Sequence, residues 1–511
     1  MKDLREATAE SVVDRPSIRQ RRWILLALMC TMMLAAMDSV IVSTAIPQIV
    51  GDLGGFSLFS WVFSVYLLAQ TVTIPIYGKL SDSFGRKTVL LIGTVIFLLG
   101  SAASAAAWNM ESLIVFRGLQ GLGAGSIMAT VETLAGDLYS VRERAAIQGW
   151  LSSVWGMAAI SGPLLGGAFA EYLSWRWIFF VNVPFGIAAM ALLGAFLHEH
   201  LERRAHRVDY GGSVLVLLTA GLLIFGLLQG GQAWPWVSWQ SGLILVFVAV
   251  FAAALAWVEK HAAEPVMPSW LWHRRVLTGA NLATVLFGVV LMAPEAYLPT
   301  YAQSVLGLRA IGAGLVLASM SIGWPLASSL SGPAYLKVGF RATTVWGAIL
   351  VVIAVALFAF YAHAAGVWSV VGSTVLLGVG FGLLSTPILV GIQSVVRWEQ
   401  RGVATGANMF CRYLGSSIGV ALMGAIYNGT LRNRLAQAPQ AIRDSLPTGI
   451  DELLKLLLHG SPSLPVRAYL RDVIDAATVN LYITGVAVAI LMLLAVFIMP
   501  KHFAAAPSGA A

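Results

Sequence analysis

Charge is what this chain has least of. Of its 511 residues, 11% are Asp, Glu, Lys or Arg and 58% are hydrophobic, where an ordinary soluble domain carries about 25% charged residues. A chain of this length cannot cover itself with a polar shell, so a soluble globular protein is excluded. Cysteine is nearly absent. Cys30 and Cys411 both sit in apolar stretches, which excludes a disulfide framework and offers no metal-ligand spacing. The net charge of +8 is dispersed between apolar runs, which argues against a nucleic-acid partner. No G-x-x-x-x-G-K-[ST] occurs, so ATP-driven transport has no local support. Gly415-Ser416-Ser417-Ile418-Gly419 matches the hydrolase elbow by letters. An elbow needs a strand before it and a His partner, and this match lies inside an apolar run. No catalytic residue is assigned, and the chain does not read as an enzyme.

What is present is a succession of apolar runs, each near the roughly 20 residues that cross a bilayer as a helix. They fall at 23–47, 57–78, 88–107, 112–135, 146–170, 177–197, 211–229, 240–258, 277–301, 310–332, 342–362, 367–391, 402–428 and 476–499. Most are apolar all round, so length rather than amphipathic period identifies them. In lipid only a helix satisfies its own backbone. Alternate loops carry the cations, among them Lys79, Arg86, Lys87, Arg142, Arg144, Lys337, Arg341, Arg397 and Arg401, while the short loops between them hold Arg176 and Arg309. Positive loops stay inside, which predicts cytoplasmic N- and C-termini in a multi-pass protein of the cell (cytoplasmic or inner) membrane.

The organisation expected is a cytoplasmic tail (1–22), a six-helix half (23–200), a two-helix insertion with its loops (201–275), a second six-helix half (276–499) and a C-terminal tail (500–511). The segment 429–475 reads as a long external loop. Within it 464–480 is either an amphipathic surface helix or a solvated connector. An echo supports the two halves: GKLSDSFGRK (78–87) and GPAYLKVGFR (332–341) share Gly at the first and eighth places and a cation at the tenth. Repeated halves with a substrate path between them are a common transporter architecture.

Five ionisable residues fall inside spans: Asp38, Arg117, Glu132, Glu295 and Arg412. At about 3 kcal/mol each at a helix centre, unpaired they cost roughly 15 kcal/mol. They must face water or one another, as groups on an ion or substrate path do. Asp38 is the first candidate for proton coupling, with Arg117 as its counter-ion; a structural crosslink is the alternative. Glu295, among Met292, Pro294, Tyr297 and Tyr301, reads either as a cavity carboxylate or as a group near the outer interface where Pro294 and Pro299 end the helix. Glu132 belongs to the cavity or to the emerging end of its span. Arg412 is expected to pair across the bundle. Trp61, Phe63, Tyr66, Trp155 and Trp324 are candidate cavity aromatics, suited to flat lipophilic cations.

Five stretches carry a family resemblance. Gly78–Lys87 (G-x-L-x-D-x-x-G-R-K) resembles the signature loop of the major facilitator superfamily. LIVFRGLQGLGAG (113–125), with Arg117 and Gln120, is similar to its fourth-helix motif. GMAAISGPLLGG (156–167) is similar to its fifth-helix antiporter motif, and AMDSVIVSTAIP (36–47) and WRWIFFVNVPFG (175–186) resemble the fourteen-span drug:proton antiporter branch. Ser43 stands where that branch usually has Asn.

The resemblance implies an all-α membrane protein of the major facilitator fold, two six-helix halves plus two central helices. It implies proton-coupled export of lipophilic, cationic compounds by alternating access. A lipid, siderophore or other native metabolite is the alternative cargo, and a membrane enzyme or receptor the more distant one. It also implies a coupling role for Arg117 and a conformational gate at Gly78, Asp82, Gly85, Arg86, Gly162, Pro163 and Gly166, with Asp82 against the start of the thirteenth helix near Gly402. The expected partners are small lipophilic substrates, protons and the bilayer, around a monomer. No cofactor or metal is expected beyond the proton as coupling ion.

Overall fold

The structure is a computed structural model in which residues 17–55, 58–199, 209–231, 233–362, 366–443, 446 and 463–503 are described. The first half contains α1 (Ile18–Thr44), α2 (Phe59–Phe84), α3 (Arg86–Ala105), α4 (Met110–Leu138), α5 (Val141–Tyr172) and α6 (Asn182–Phe196). Next come α7 (Tyr210–Gln229) and α8 (Trp239–His261). The second half contains α9 (Arg275–Ser304), α10 (Met320–Val338), α11 (Phe340–Leu357), α12 (Val367–Ser394), α13 (Arg401–Ala436) and α14 (Leu464–Val496). Among the described residues thirteen helical stretches are long and apolar enough to cross a membrane. The remaining long helix, α5, has 32 residues diluted by Gly, Ser and Gln148. Gln148, Ser152 and Trp155 of this helix line an internal cavity, so one face of α5 has no need to resemble lipid.

The two halves repeat one packing scheme. In the first, α1 packs on α5 and α6, α4 on α2 and α3, and α3 on α6; in the second, α9 packs on α13 and α14, α12 on α10 and α11, and α11 on α14. The sequence echo falls at matching turns. Gly85, between α2 and α3, has φ 92° and ψ 145°, and Gly339, between α10 and α11, has φ 92° and ψ 159°. A side chain at either place would be strained by the positive φ. The halves meet along two seams, α2 against α13 and α5 against α10.

The inserted helices are not equivalent. α7 packs on both α2 and α13, bridging one seam, whereas α8 packs on α7 and has no buried residue. Lys79 in the signature loop forms an ion pair at 2.8 Å with Glu264, just beyond α8.

Several boundaries differ from the expectation: α2 runs on from 78 to Phe84, α10 from 332 to Val338 and α13 from 428 to Ala436. α1 begins at Ile18, inside the expected tail, because Ser17 and Gln20 form a capping box; Arg21 then pairs with Glu143 at 2.8 Å. The segment 464–480 is neither a surface helix nor a connector. It opens the 33-residue α14, burying Val466, Leu470, Val473 and Ile474, and Arg471 donates to the Ser304 and Val305 carbonyls. α13 has 36 residues, about 54 Å at 1.5 Å per residue, so it outruns a hydrocarbon core of about 30 Å. The rest of the expected loop, 447–462, and the tail residues 1–16 and 504–511 lie outside the described residues.

Candidate functional site: a buried ion pair beside a central cavity

Asp38 on α1 and Arg117 on α4 are both fully buried. Arg117 Nη1 donates to Asp38 Oδ2 at 2.5 Å, and Gln120, one helical turn on, donates through Nε2 to Asp38 Oδ1 at 2.8 Å. The i, i+3 spacing on α4 puts both groups on one face. Asn182, at the start of α6, adds a long bond to Oδ1 at 3.4 Å and is itself held on Ser101 at 3.0 Å. The guanidinium lies 4.1 Å above the Tyr66 ring and donates through Nε to the Val62 carbonyl. Its Nη2 has no hydrogen-bond partner among the described residues. A carboxylate this dry persists only when paired and hydrogen-bonded. Protonating it would leave Arg117 as an uncompensated buried cation, a state destabilised by about 3–5 kcal/mol.

Arg117 and Tyr66 reach the wall of a cavity of about 640 Å³ lined by both halves of the chain, within the usual size of a small-molecule site. Glu132, Glu295, Trp155, Trp324 and Arg412 also line it. Glu132 is buried and accepts from Gln148 Nε2 at 2.6 Å, so it belongs to the cavity rather than to an emerging helix end. Glu295 is open to the cavity; Pro294 and Pro299 sit within α9 without ending it. Two expected members lie elsewhere. Trp61 packs its ring at a tilt against Phe225 of α7, centroids 5.7 Å apart, and Tyr297 packs likewise against Tyr427 at 4.7 Å. Each is two residues from a cavity residue (Phe63 and Glu295), about 200° around a helix with 3.6 residues per turn. Among the described residues Arg412 has no ion-pair partner across the bundle; its guanidinium lies 5.4 Å from the centre of the Phe287 ring and 5.1 Å from that of Trp324, both in its own half.

This phase argument is testable. Trp61→Ala should lower thermal stability while changing substrate KM less than about twofold. Tyr66→Ala should raise KM roughly three- to tenfold, the size of a lost aromatic contact. Equal KM effects would remove the distinction.

At one end the halves are tied together. Asp82, at the end of α2, accepts from the Gly402 and Val403 amides, each at 2.8 Å, in the first turn of α13. Those amides have no partner within their own helix, and the helix dipole favours a negative charge there. Arg86 is fully buried, donating to Asp82 at 2.7 Å, to Asp137 at 2.9 Å and to the Trp398 carbonyl at 2.7 Å. It also lies 3.7 Å above the Trp398 ring. Arg401 shares Asp137 at 2.9 Å. Gly78 makes the approach possible: a Cβ there would lie 2.5 Å from the Gly402 carbonyl oxygen and 3.2 Å from Gly406 Cα. Gly85 supplies the turn described above. On α5, a Cβ on Gly162 would lie 3.1 Å from Val40 of α1; Pro163 lines the cavity and Gly166 is buried.

The second seam closes at the matching turn by other means. Leu336 stands where the echo has Asp82, and Tyr335 donates to the Val141 carbonyl at 2.5 Å. One seam is latched by charge and the other by a neutral hydrogen bond.

Several participants escape sequence reasoning. Asn182 and Ser101 look like ordinary polar residues in apolar helices. Asp137 falls just past the expected end of its span, and its partner Arg401 is 264 residues away.

Comparison with known proteins agrees with this architecture. The family model described as Major Facilitator Superfamily matches residues 28–209 and 208–420. Multidrug resistance protein 3 of Bacillus subtilis is 33% identical over 486 residues, covering 94% of each chain. Efflux pump FUS6 of Gibberella moniliformis is 34% identical over 446 residues, 83% of this chain and 77% of its own. The crystal structure of the human organic anion transporter MFSD10 shares the fold with a TM-score of 0.61 at 13% identity, over 93% of this chain and 99% of that one. Motifs, repeated halves and relatives agree: the chain belongs to the major facilitator superfamily.

Proposed function

We propose that this protein is a proton-coupled exporter of lipophilic, mainly cationic compounds, working by alternating access in the cytoplasmic (inner) membrane. The observation that carries the reading is the Asp38–Arg117 pair, fully buried, with Arg117 on the wall of the cavity between the halves. The name of a relative called an efflux pump, FUS6, supports the direction of transport. The loops richest in cations lie at the latched end, so the positive-inside rule places the latch in the cytoplasm. On this reading the arrangement is an inside-closed state, held by the Asp82 contacts to the first turn of α13. A proton entering from outside neutralises Asp38 and frees Arg117 as substrate departs; its release inside restores the pair. One chain encloses the whole cavity, which suits a monomer.

Proteoliposomes with an imposed pH gradient test this. The expected result is accumulation of a lipophilic cationic dye that collapses when a protonophore is added. Accumulation indifferent to the gradient would remove proton coupling. Movement of endogenous lipid or metabolite but of no dye would reassign the cargo.

A further inference from the structure

Two charges in the central cavity are left over by everything described above. Arg412 on α13 has no hydrogen bond and no carboxylate within 4.0 Å among the described residues; its contacts are the flanking rings of Phe287 and Trp324. Glu295 on α9 likewise has no hydrogen-bond or ion-pair partner among the described residues and is open to the cavity. Contrast the other membrane-embedded charges: Asp38 and Arg117 hold each other, and Glu132 is satisfied by Gln148. A guanidinium offers five donors and cannot shed its proton. Cation–π contacts compensate part of its desolvation, about 0.5–2 kcal/mol, and leave those donors unused.

The helices carrying the two groups are locked together. A Cβ on Gly415 would lie 2.9 Å from Val285 Cα, and one on Gly419 would lie 2.9 Å from Val289 Cα. Arg412 and Glu295 therefore stand on one rigid pair of helices in the same half, and both line the cavity that Glu132 also lines. A cation-only substrate would use Glu295 and be repelled by Arg412. A substrate carrying an anion beside its cation would use both.

We propose that Arg412 and Glu295 form a dipolar subsite for flat aromatic amphiphiles that bear a carboxylate together with a delocalised or amine cation. The carboxylate lies on the Arg412 guanidinium, the cation faces Glu295, and the ring system lies among the aromatic walls at Trp324 and Trp155. This rests on the export reading above and narrows its cargo: zwitterions are favoured over the corresponding cations, and Arg412 is the residue that sets the preference.

The test uses a matched pair of dyes, tetramethylrhodamine, with a free carboxylate beside its xanthylium cation, and its methyl ester, which keeps only the cation. Binding to the purified full-length protein is read by fluorescence anisotropy, and transport is read in proteoliposomes. The wild type is expected to prefer the acid over the ester. Arg412→Gln should lower the preference for acid over ester, read as the ratio of affinities (1/Kd) and of kcat/KM, by about tenfold or more, the size expected for one charge-assisted pair. Arg412→Lys should recover part of that ratio, and shows that the site folds should the Gln variant not. Glu295→Gln should weaken both dyes while moving the ratio less than about threefold.

Preference for the ester in the wild type, or an Arg412→Gln variant that loses both dyes equally, would overturn the proposal. Binding with the expected ratio but no vectorial movement would sink the export reading and leave the subsite standing.

Discussion

Asp38→Asn is expected to reduce pH-gradient-driven accumulation of substrate at least about a hundredfold, corresponding to roughly 3 kcal/mol. Asn preserves the size of the side chain and an acceptor oxygen for Gln120 or Arg117, so the helices need not separate. It cannot bind or release a proton, and the variant is held in the electrostatic condition of the protonated carrier. Downhill substrate exchange across the same liposomes, which moves no net proton, should persist. Stability should also fall, because Arg117 is fully buried and removing one partner of such a pair is destabilising by about 3–5 kcal/mol. The double variant Asp38→Asn/Arg117→Gln should regain thermal stability without regaining coupling. Wild-type accumulation by Asp38→Asn would take Asp38 out of the coupling role, and loss of exchange together with accumulation would make the pair structural.

Gly78→Leu is expected to have the second large effect, at the latch. A Cβ at Gly78 would lie 2.5 Å from a backbone oxygen of α13, and backbone cannot swing aside as a side chain can. Overpacking of this kind is destabilising by about 1–3 kcal/mol or more. The cost falls on the closed latch alone, since the clash exists only while α2 and α13 touch there. A bias of that size shifts a two-state population by roughly 10–100-fold. Electron–electron distances between spin labels at the latched ends of α2 and α13 should lengthen, and net transport should fall about as far. Asp82→Asn should move the same distances in the same direction by less, because the Arg86–Asp137–Arg401 network remains. Unchanged distances in Gly78→Leu would mean that this turn is not where the halves close.

The asymmetry of the two seams bears on both expectations. The α2–α13 seam concentrates Asp82, Arg86, Asp137 and Arg401, whereas the matching turn at the α5–α10 seam contributes the Tyr335 hydroxyl. Breaking a buried ionic network leaves charges uncompensated, while breaking a neutral bond leaves one hydroxyl to find water. Parting the charged seam is therefore expected to cost more than parting the other, and α7 bridges that same seam.

The amino-acid sequence alone determined the class of the molecule: apolar runs of span length, short loops, cations on alternate loops, a repeated Gly-turn motif and a handful of charges that lipid cannot tolerate unpaired. Those follow from local chemistry, because in a bilayer every backbone group must be satisfied within its own helix. It also indicated Asp38 with Arg117, since a buried charge must have a partner and few were available; Asp82 near Gly402 was implied by the motif's family resemblance. Only the tertiary structure decided which way each helix faces. Trp61 and Tyr297 turn from the cavity while Phe63 and Glu295 enter it, and helices apolar all round carry no periodic sign of that choice. It alone decided that Asp137 meets Arg86 and Arg401, that 464–480 opens a transmembrane helix, and that Arg412 faces the cavity with no ion pair among the described residues. Partners so distant along the chain are chosen by how the helices pack, which no local stretch of residues encodes.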